Sequence, residues 1–290
     1  MGKLEKIVVG GVPEHFNLPW HNGIESDAFS DAGIDLRYVD FPGGTGAMTK
    51  ALRASELDVA IALTEGCVAD ILNGNPSRIV QAYVKSPLLW GIHVANRSGI
   101  EQIDQINGKR YAISRFGSGS HLMAIVDAAQ RGWSTESMQF VVVKNLAGAR
   151  EALAQGEADV FFWERFTTSP YVVNGEFRRL DVRETPWPAF VVCVRQQVLE
   201  QRGKSISQML DVVNEQCRKL MKSSLAVETI ADRYELDLDQ VKQWFSLTQW
   251  NTTATSPVEK LDLAISFLKK LKLVPEHEHG VSDVWQAVKV

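Results

Sequence analysis

The chain is poor in the features that most directly announce chemistry. Its 290 residues hold three cysteines, Cys67, Cys193 and Cys217, widely separated and set among apolar neighbours. An odd count without a CxxC pair excludes a disulfide framework and a cysteine-based metal site, and predicts three buried small hydrophobes. No HExxH is present. Glu276-His277-Glu278-His279 alternates in a polar stretch near the end and reads as a solvated loop. There is no excess of one charge. The formal net charge of −4 gives no basic surface for broad nucleic-acid binding. No apolar run is long enough to span a bilayer, and none at the start has the form of a leader. Two expectations follow for location: cytoplasmic if Met1 is the native start, periplasmic or extracytoplasmic if a leader has been removed. No cofactor motif is found. Phe116-Gly117-Ser118-Gly119-Ser120-His121 lacks the third glycine of a dinucleotide fingerprint, because position 122 is leucine, and no Gly-Lys-Ser/Thr follows it.

What is present is a rhythm. Short β-rich runs, such as Ile7-Val8-Val9, Leu36–Asp40, Leu57–Leu63 and Tyr111-Ala112-Ile113, alternate with helical segments through residues 7–165. That alternation predicts an α/β fold with mostly parallel sheets flanked by helices. The segment Ile79–Val84 reads as central to its sheet. Helices are expected at Ala47–Ala54 with Thr45 as N-cap, at 205–222, 224–232, 238–246 and 257–270, and over Val281–Val288. Ser256-Pro257-Val258-Glu259 has the form of a helix start, and Asp237 that of a cap. The halves echo each other. Ala51-Leu52-x-x-x-Glu56-x-Asp58-Val59 returns as Ala152-Leu153-x-x-x-Glu157-x-Asp159-Val160, offset by 101 residues. A single repeat at so large an offset predicts two similar lobes.

Candidate site residues follow from position. Gly117, Ser118, Gly119, Ser120 and His121 lie between a strand and a helix. Glycines admit a ligand closely there, hydroxyls are at hand, and a helix start offers N–H groups to a carboxylate, sulfonate or phosphate. Gly43–Gly46, with Thr45, reads as the equivalent turn of the first half. In parallel sheets ligands gather at the carboxyl ends of strands, which selects Thr64, Glu65, Trp163 and Glu164. Trp163 suits stacking and Glu164 a ligand N–H, or Glu164 and Arg165 form a surface pair. Phe16 and Trp20, with His15 and His21 beside them, line either a pocket or a core edge. Trp187, between two prolines, marks either a hinge facing the ligand or ordinary packing.

Taken together, Gly43–Met48, Ala51–Ala60, Ile106–Arg110, Gly117–His121 and Ala152–Val160 resemble the type 2 periplasmic-binding-protein superfamily. The similarity is to the branch of sulfonate, nitrate and taurine transporter binding proteins and NMT1/THI5-like proteins. The resemblance implies two lobes, 1–91 plus 187–290 and an inserted 92–186, with a ligand cleft between them that closes by a hinge. It implies a solute-binding protein for a sulfonate, carboxylate or pyrimidine-like metabolite, partnered by an ABC transporter permease, without catalysis. The cysteine-rich segment of the pyrimidine-forming enzymes is absent. The alternative is an enzyme or cytoplasmic sensor for a pyrimidine-like metabolite, with Glu65, Glu164 and histidines as acid–base groups.

Overall fold

A computed structural model describes residues 4–253, 258–276 and 280–289. The chain divides into two compact units, residues 1–86 with 186–290 and residues 87–185. The expected boundary at 91/92 would cut a strand that pairs wholly within the second unit.

The first unit opens with β1 (Glu5–Gly11), α1 (Leu18–Glu25), α2 (Ala28–Asp31), β2 (Ile34–Asp40), α3 (Gly44–Arg53), β3 (Val59–Leu63), α4 (Thr64–Leu72) and β4 (Ser77–Val84). The second comprises β5 (Leu89–Ala95), β6 (Arg110–Ile113), α5 (Gly119–Gln130), β7 (Gln139–Val142), α6 (Leu146–Gln155), β8 (Val160–Glu164), α7 (Ser169–Val173) and β9 (Phe177–Glu184). The chain then returns through β10 (Phe190–Arg195), α8 (Gln196–Lys222), α9 (Ala226–Tyr234), α10 (Leu238–Leu247), α11 (Leu261–Lys270) and α12 (Val281–Val284).

The strand orders are β2-β1-β3-β10-β4 and β7-β6-β8-β5-β9. Each sheet has one strand, β10 or β5, antiparallel to both neighbours, so the other four run the same way. Both orders are one pattern, in which the antiparallel strand is the one that enters from the other unit. At the crossing, Ala189 N donates to Ser86 O at 3.1 Å on one side, and Thr185 N to Leu88 O at 3.0 Å on the other. Pro87 and Pro186 stand between these pairs and have no N–H to give.

The 101-residue echo has a physical basis. Asp58 and Asp159 each exchange bonds with the first of the parallel strands of their sheet, β1 or β6. Val8 N donates to Asp58 Oδ2 at 3.0 Å, and Arg110 N to Asp159 Oδ2 at 3.0 Å. The backbone returns them, Asp58 N to Val8 O and Asp159 N to Arg110 O. The helix before each aspartate ends alike, with the N–H of Glu56 or Glu157 bonded to the carbonyl of Ala51 or Ala152. The turn requires a left-handed residue, which is Gly156 (φ 70°) in one unit and Ser55 (φ 62°) in the other. Serine is strained there and glycine is not. Ser55→Gly is therefore expected to stabilise the protein by about 1 kcal/mol in urea unfolding, whereas Gly156→Ser lowers stability by a similar amount.

Several expectations are corrected. β4 is the last strand of its sheet rather than a central one. Its residues are buried because later segments cover its outer side: Asn251 N donates to Tyr83 O at 2.8 Å and Gln286 N to Ile79 O at 3.0 Å. α3 begins at Gly44 with Gly43 as N-cap. The Thr45 hydroxyl instead accepts from Leu63 N at 3.1 Å, tying the helix start to β3. Of the Ser256-Pro257 helix start, both residues lie outside the described ones. α11 begins at Leu261, after Lys260 in a left-handed conformation, so Glu259 precedes the helix. α12 stops at Val284 because Trp285 turns extended to bridge β4. α8 starts at Gln196, nine residues before the expected 205, and is kinked at Arg202. Asp237 caps α10, accepting from Gln240 N at 2.9 Å, and all three cysteines are buried. Among the described residues no helix is long and apolar enough to cross a membrane.

Candidate functional site

In the second unit, β6 ends at Ile113 and the chain turns through Ser114–Ser118 into α5. Ser118 is the N-cap, its Oγ accepting from His121 N at 3.4 Å. Gly117 takes φ 75°, which a side chain would resist. The two serine hydroxyls are spent inside the turn. They lie 3.0 Å from each other, and Ser120 Oγ accepts from Ser114 N at 3.0 Å. Both side chains are buried. The expectation that they offer hydroxyls outward is corrected on this point: what the turn has left toward its surface is the backbone N–H of the helix start at the partly exposed Gly119, with the helix dipole behind it. His121 accepts from Gly117 N through Nδ1 at 3.1 Å, which places the proton of the neutral ring on Nε2. Burial holds its pKa below the ordinary 6.5. The ring stands edge-on to Phe116 and Phe140, so it stiffens the turn.

β8 is the parallel neighbour of β6 and ends at the same edge. Trp163 stacks on Phe161 at 5.2 Å and packs on the core beneath α6, with part of its surface exposed. Glu164 is buried, and one oxygen accepts from both Thr167 N at 2.7 Å and Thr167 Oγ1 at 2.8 Å. Burial raises its pKa, and these bonds oppose the rise. It forms no ion pair with Arg165. The adjoining core holds a buried neutral histidine. His93 Nε2 lies 2.9 Å from Thr168 Oγ1, and burial takes its pKa down to about 3.

In the first unit the corresponding edge holds Thr64 and Glu65, the first turn of α4. Thr64 Oγ1 donates to Pro188 O at 2.5 Å, and Trp187 Nε1 to Glu65 Oε2 at 2.8 Å. The returning segment is thereby fastened to α4. Glu65 is 1% exposed, its Oε1 is buried without a hydrogen-bond partner, and burial raises its pKa. Trp20 lies in the core, stacked 5.9 Å from Phe29. Phe16 packs against Phe190 and Trp244, and its carbonyl accepts from Tyr83 Oη at 2.7 Å and Trp250 Nε1 at 2.9 Å. His15 is buried beside Trp244, and its pKa falls to about 4 through burial. Thr45 anchors α3, as described above. Topology also changes one equivalence. Gly117–His121 follows β6, the first of the parallel strands of its sheet, so its counterpart is the segment after β1, residues 12–18. Gly43–Gly46 follows the second strand and corresponds to 144–147.

Of the basic residues at the second unit's edge, the sequence marked Arg165 only as a surface partner for Glu164 and did not mark Arg115. Arg115 lies in the turn itself, and Arg165 follows β8. A single arginine in a loop has no local pattern to mark it. Among the described residues no three metal-binding side chains cluster; His277, Glu278 and His279 lie outside them. A separate cavity of about 460 Å³ opens at the opposite end of the second unit's sheet, between Arg97, Arg150, Leu153 and Phe177.

Residues 90–182 match the model of a family described as Ca3427-like PBP. Comparison with curated proteins gave no match. Among solved structures, the Candida albicans CA3427 gene product superposes with a TM-score of 0.88 at 28% identity, over 99% of this chain and 98% of that one. It is described as defining a family with the generic periplasmic binding protein fold. The alkanesulfonate-binding protein SsuA from Xanthomonas axonopodis pv. citri, bound to MOPS, gives 0.81 at 16% identity, over 99% and 100% of the two chains. The periplasmic aliphatic sulphonate binding protein SsuA from Escherichia coli gives 0.73 at 16%, over 99% and 94%. With one strand order in both units and these likenesses along its whole length, the chain has the two-lobed α/β fold of the periplasmic binding proteins.

Proposed function

We propose that this protein is a solute-binding protein that captures one small polar or anionic metabolite by hinge closure and hands it to an ABC transporter. The observation that supports this most is the repeated strand order. It puts a strand-to-helix turn at the carboxyl edge of each sheet, where open α/β sheets bind ligands. The second unit's turn adds the N–H groups of α5, suited to a sulfonate or carboxylate. The structural neighbours SsuA are named for sulfonate binding, which favours that head group. The chain crosses between units at 86–87 and 185–186, where prolines interrupt the hydrogen bonding, and these positions suit a hinge. An acid–base role has less support, because Glu164 is committed to Thr167 while His15 and His93 are held neutral in the cores.

The test is a thermal-shift panel of alkanesulfonates, small carboxylates, phosphates and pyrimidines, with mass spectrometry of each compound after incubation. One class is expected to raise Tm saturably and to be recovered intact. Conversion of a compound would replace the binding reading with an enzymatic one.

A further inference from the structure

The arginines of the second unit are unevenly paired. Arg110, Arg131, Arg150, Arg178 and Arg183 each meet a carboxylate. Among the described residues, Arg115, Arg165 and Arg179 meet none within ion-pair distance, and neither does Arg97 at the opposite end of the sheet. The guanidinium of Arg179 is spent on neutral acceptors. Its Nη2 donates to Arg165 O at 2.7 Å and Ser169 Oγ at 3.2 Å, and its Nε to His93 Nε2 at 3.3 Å. Arg165 lies over the Phe166 ring at 5.1 Å, and its Nε is buried with no partner at all. The nearby carboxylate, Glu164, holds the Thr167 N–H and hydroxyl.

A buried donor without an acceptor is costly and rare in native structures. Two guanidiniums beside one carboxylate also leave an excess of positive charge. Both features lie where β8 ends, at the edge that carries the start of α5. A guanidinium presents parallel N–H groups that match two oxygens of one oxyanion. We propose that Arg165 reads the charge of the ligand, the two Nη groups of its guanidinium forming the fork that holds a sulfonate, carboxylate or phosphate head. This rests on the binding reading above and adds to it the residue that selects an anion over a neutral molecule of the same shape.

The experiment is isothermal titration of the full chain and of Arg165→Gln and Arg165→Lys with ethanesulfonate, propionate, ethyl phosphate and the neutral ethyl methyl sulfone. The wild type is expected to bind at least one anion saturably and the sulfone at least tenfold more weakly. Arg165→Gln should weaken that anion tenfold or more at unchanged Tm. Arg165→Lys keeps the charge but not the fork, so it should fall between the two, and it carries the test if the glutamine variant does not fold. Affinity unchanged within twofold in both variants overturns the role of Arg165 and leaves the binding reading standing. Sulfone bound as tightly as ethanesulfonate does the same. A wild type that binds no anion overturns the role too, and the thermal panel, which includes pyrimidines, then decides the binding reading separately.

Discussion

Asp58→Ala is expected to cost about 3 kcal/mol, at the low end of what removing one partner of a buried ion pair costs. In a unit of this size that lowers Tm by about 6–12 °C. The carboxylate accepts from Val8 N at 3.0 Å, Arg195 Nη2 at 2.9 Å and Arg202 Nη2 at 2.8 Å. Its removal strands a backbone N–H and the Arg195 guanidinium, and leaves Arg202 with only Lys6 O and Glu5. The low end applies because the Arg195 and Arg202 side chains are 14% and 22% exposed and recover some water. Asp58→Asn keeps an acceptor for Val8 and should lose less. The echo supplies an internal control. Asp159→Ala breaks the same backbone pairing, but Arg110 is 40% exposed, so its loss should be clearly smaller. Thermal melts of the three variants decide. Equal losses at Asp58 and Asp159 would mean that the arginines add nothing to the backbone bonds.

Glu65→Gln is expected to stabilise the protein at neutral and alkaline pH and to leave it unchanged near pH 3. The sign follows from burial. The folded state raises the pKa of Glu65 above its ordinary 4.5, so between the two values the folded chain holds a proton that the unfolded chain releases. Stability therefore falls as pH rises through that window, stays low above it, and is unaffected below 4.5, where both states are protonated. Each unit of elevation corresponds to about 1.4 kcal/mol. Glutamine does not ionise, and its carbonyl can still accept from Trp187 Nε1. Urea unfolding of wild type and variant from pH 3 to pH 9 should give two curves that coincide in acid and separate with rising pH. Parallel curves would show that Glu65 finds a partner for its charge in solution.

These two residues also show what a sequence reveals. Asp58 stood inside a pattern that recurs at a fixed offset, because the junction of helix and strand it closes is built twice with the same parts. The turn at Gly117–His121 was legible for a similar reason: glycine and serine at a strand-to-helix junction are local requirements. Strand β9 escaped notice because Arg178, Arg179, Asp181 and Arg183 break every apolar run in it. Charges of that kind keep an edge strand from pairing with other chains. β4 was misplaced for the opposite reason. Its unbroken burial looks like a central strand when the segments that cover it lie 166 and 206 residues further on, at Trp250 opposite Val84 and Trp285 opposite Ile79. Arg165 was legible only as a surface partner for Glu164; that the pair does not form depends on Glu164 turning to Thr167, which no local pattern shows. Ser118 and Ser120 were recognised by type, but which way their hydroxyls point depends on how the turn closes on itself.

The division of the chain has a consequence for its synthesis. The second unit is one uninterrupted stretch, residues 87–185, and holds every strand of its own sheet. The first unit cannot close when its opening 86 residues have left the ribosome, since β10 must still slide between β3 and β4. Even then β4 waits for Gln249–Asn251 and Gln286 to seal its flank. The later-starting lobe is thus the first able to finish: the first sheet stays open until β10, ending at Arg195, has been made, and the flank of β4 stays bare until residues 249–251 and 286 follow.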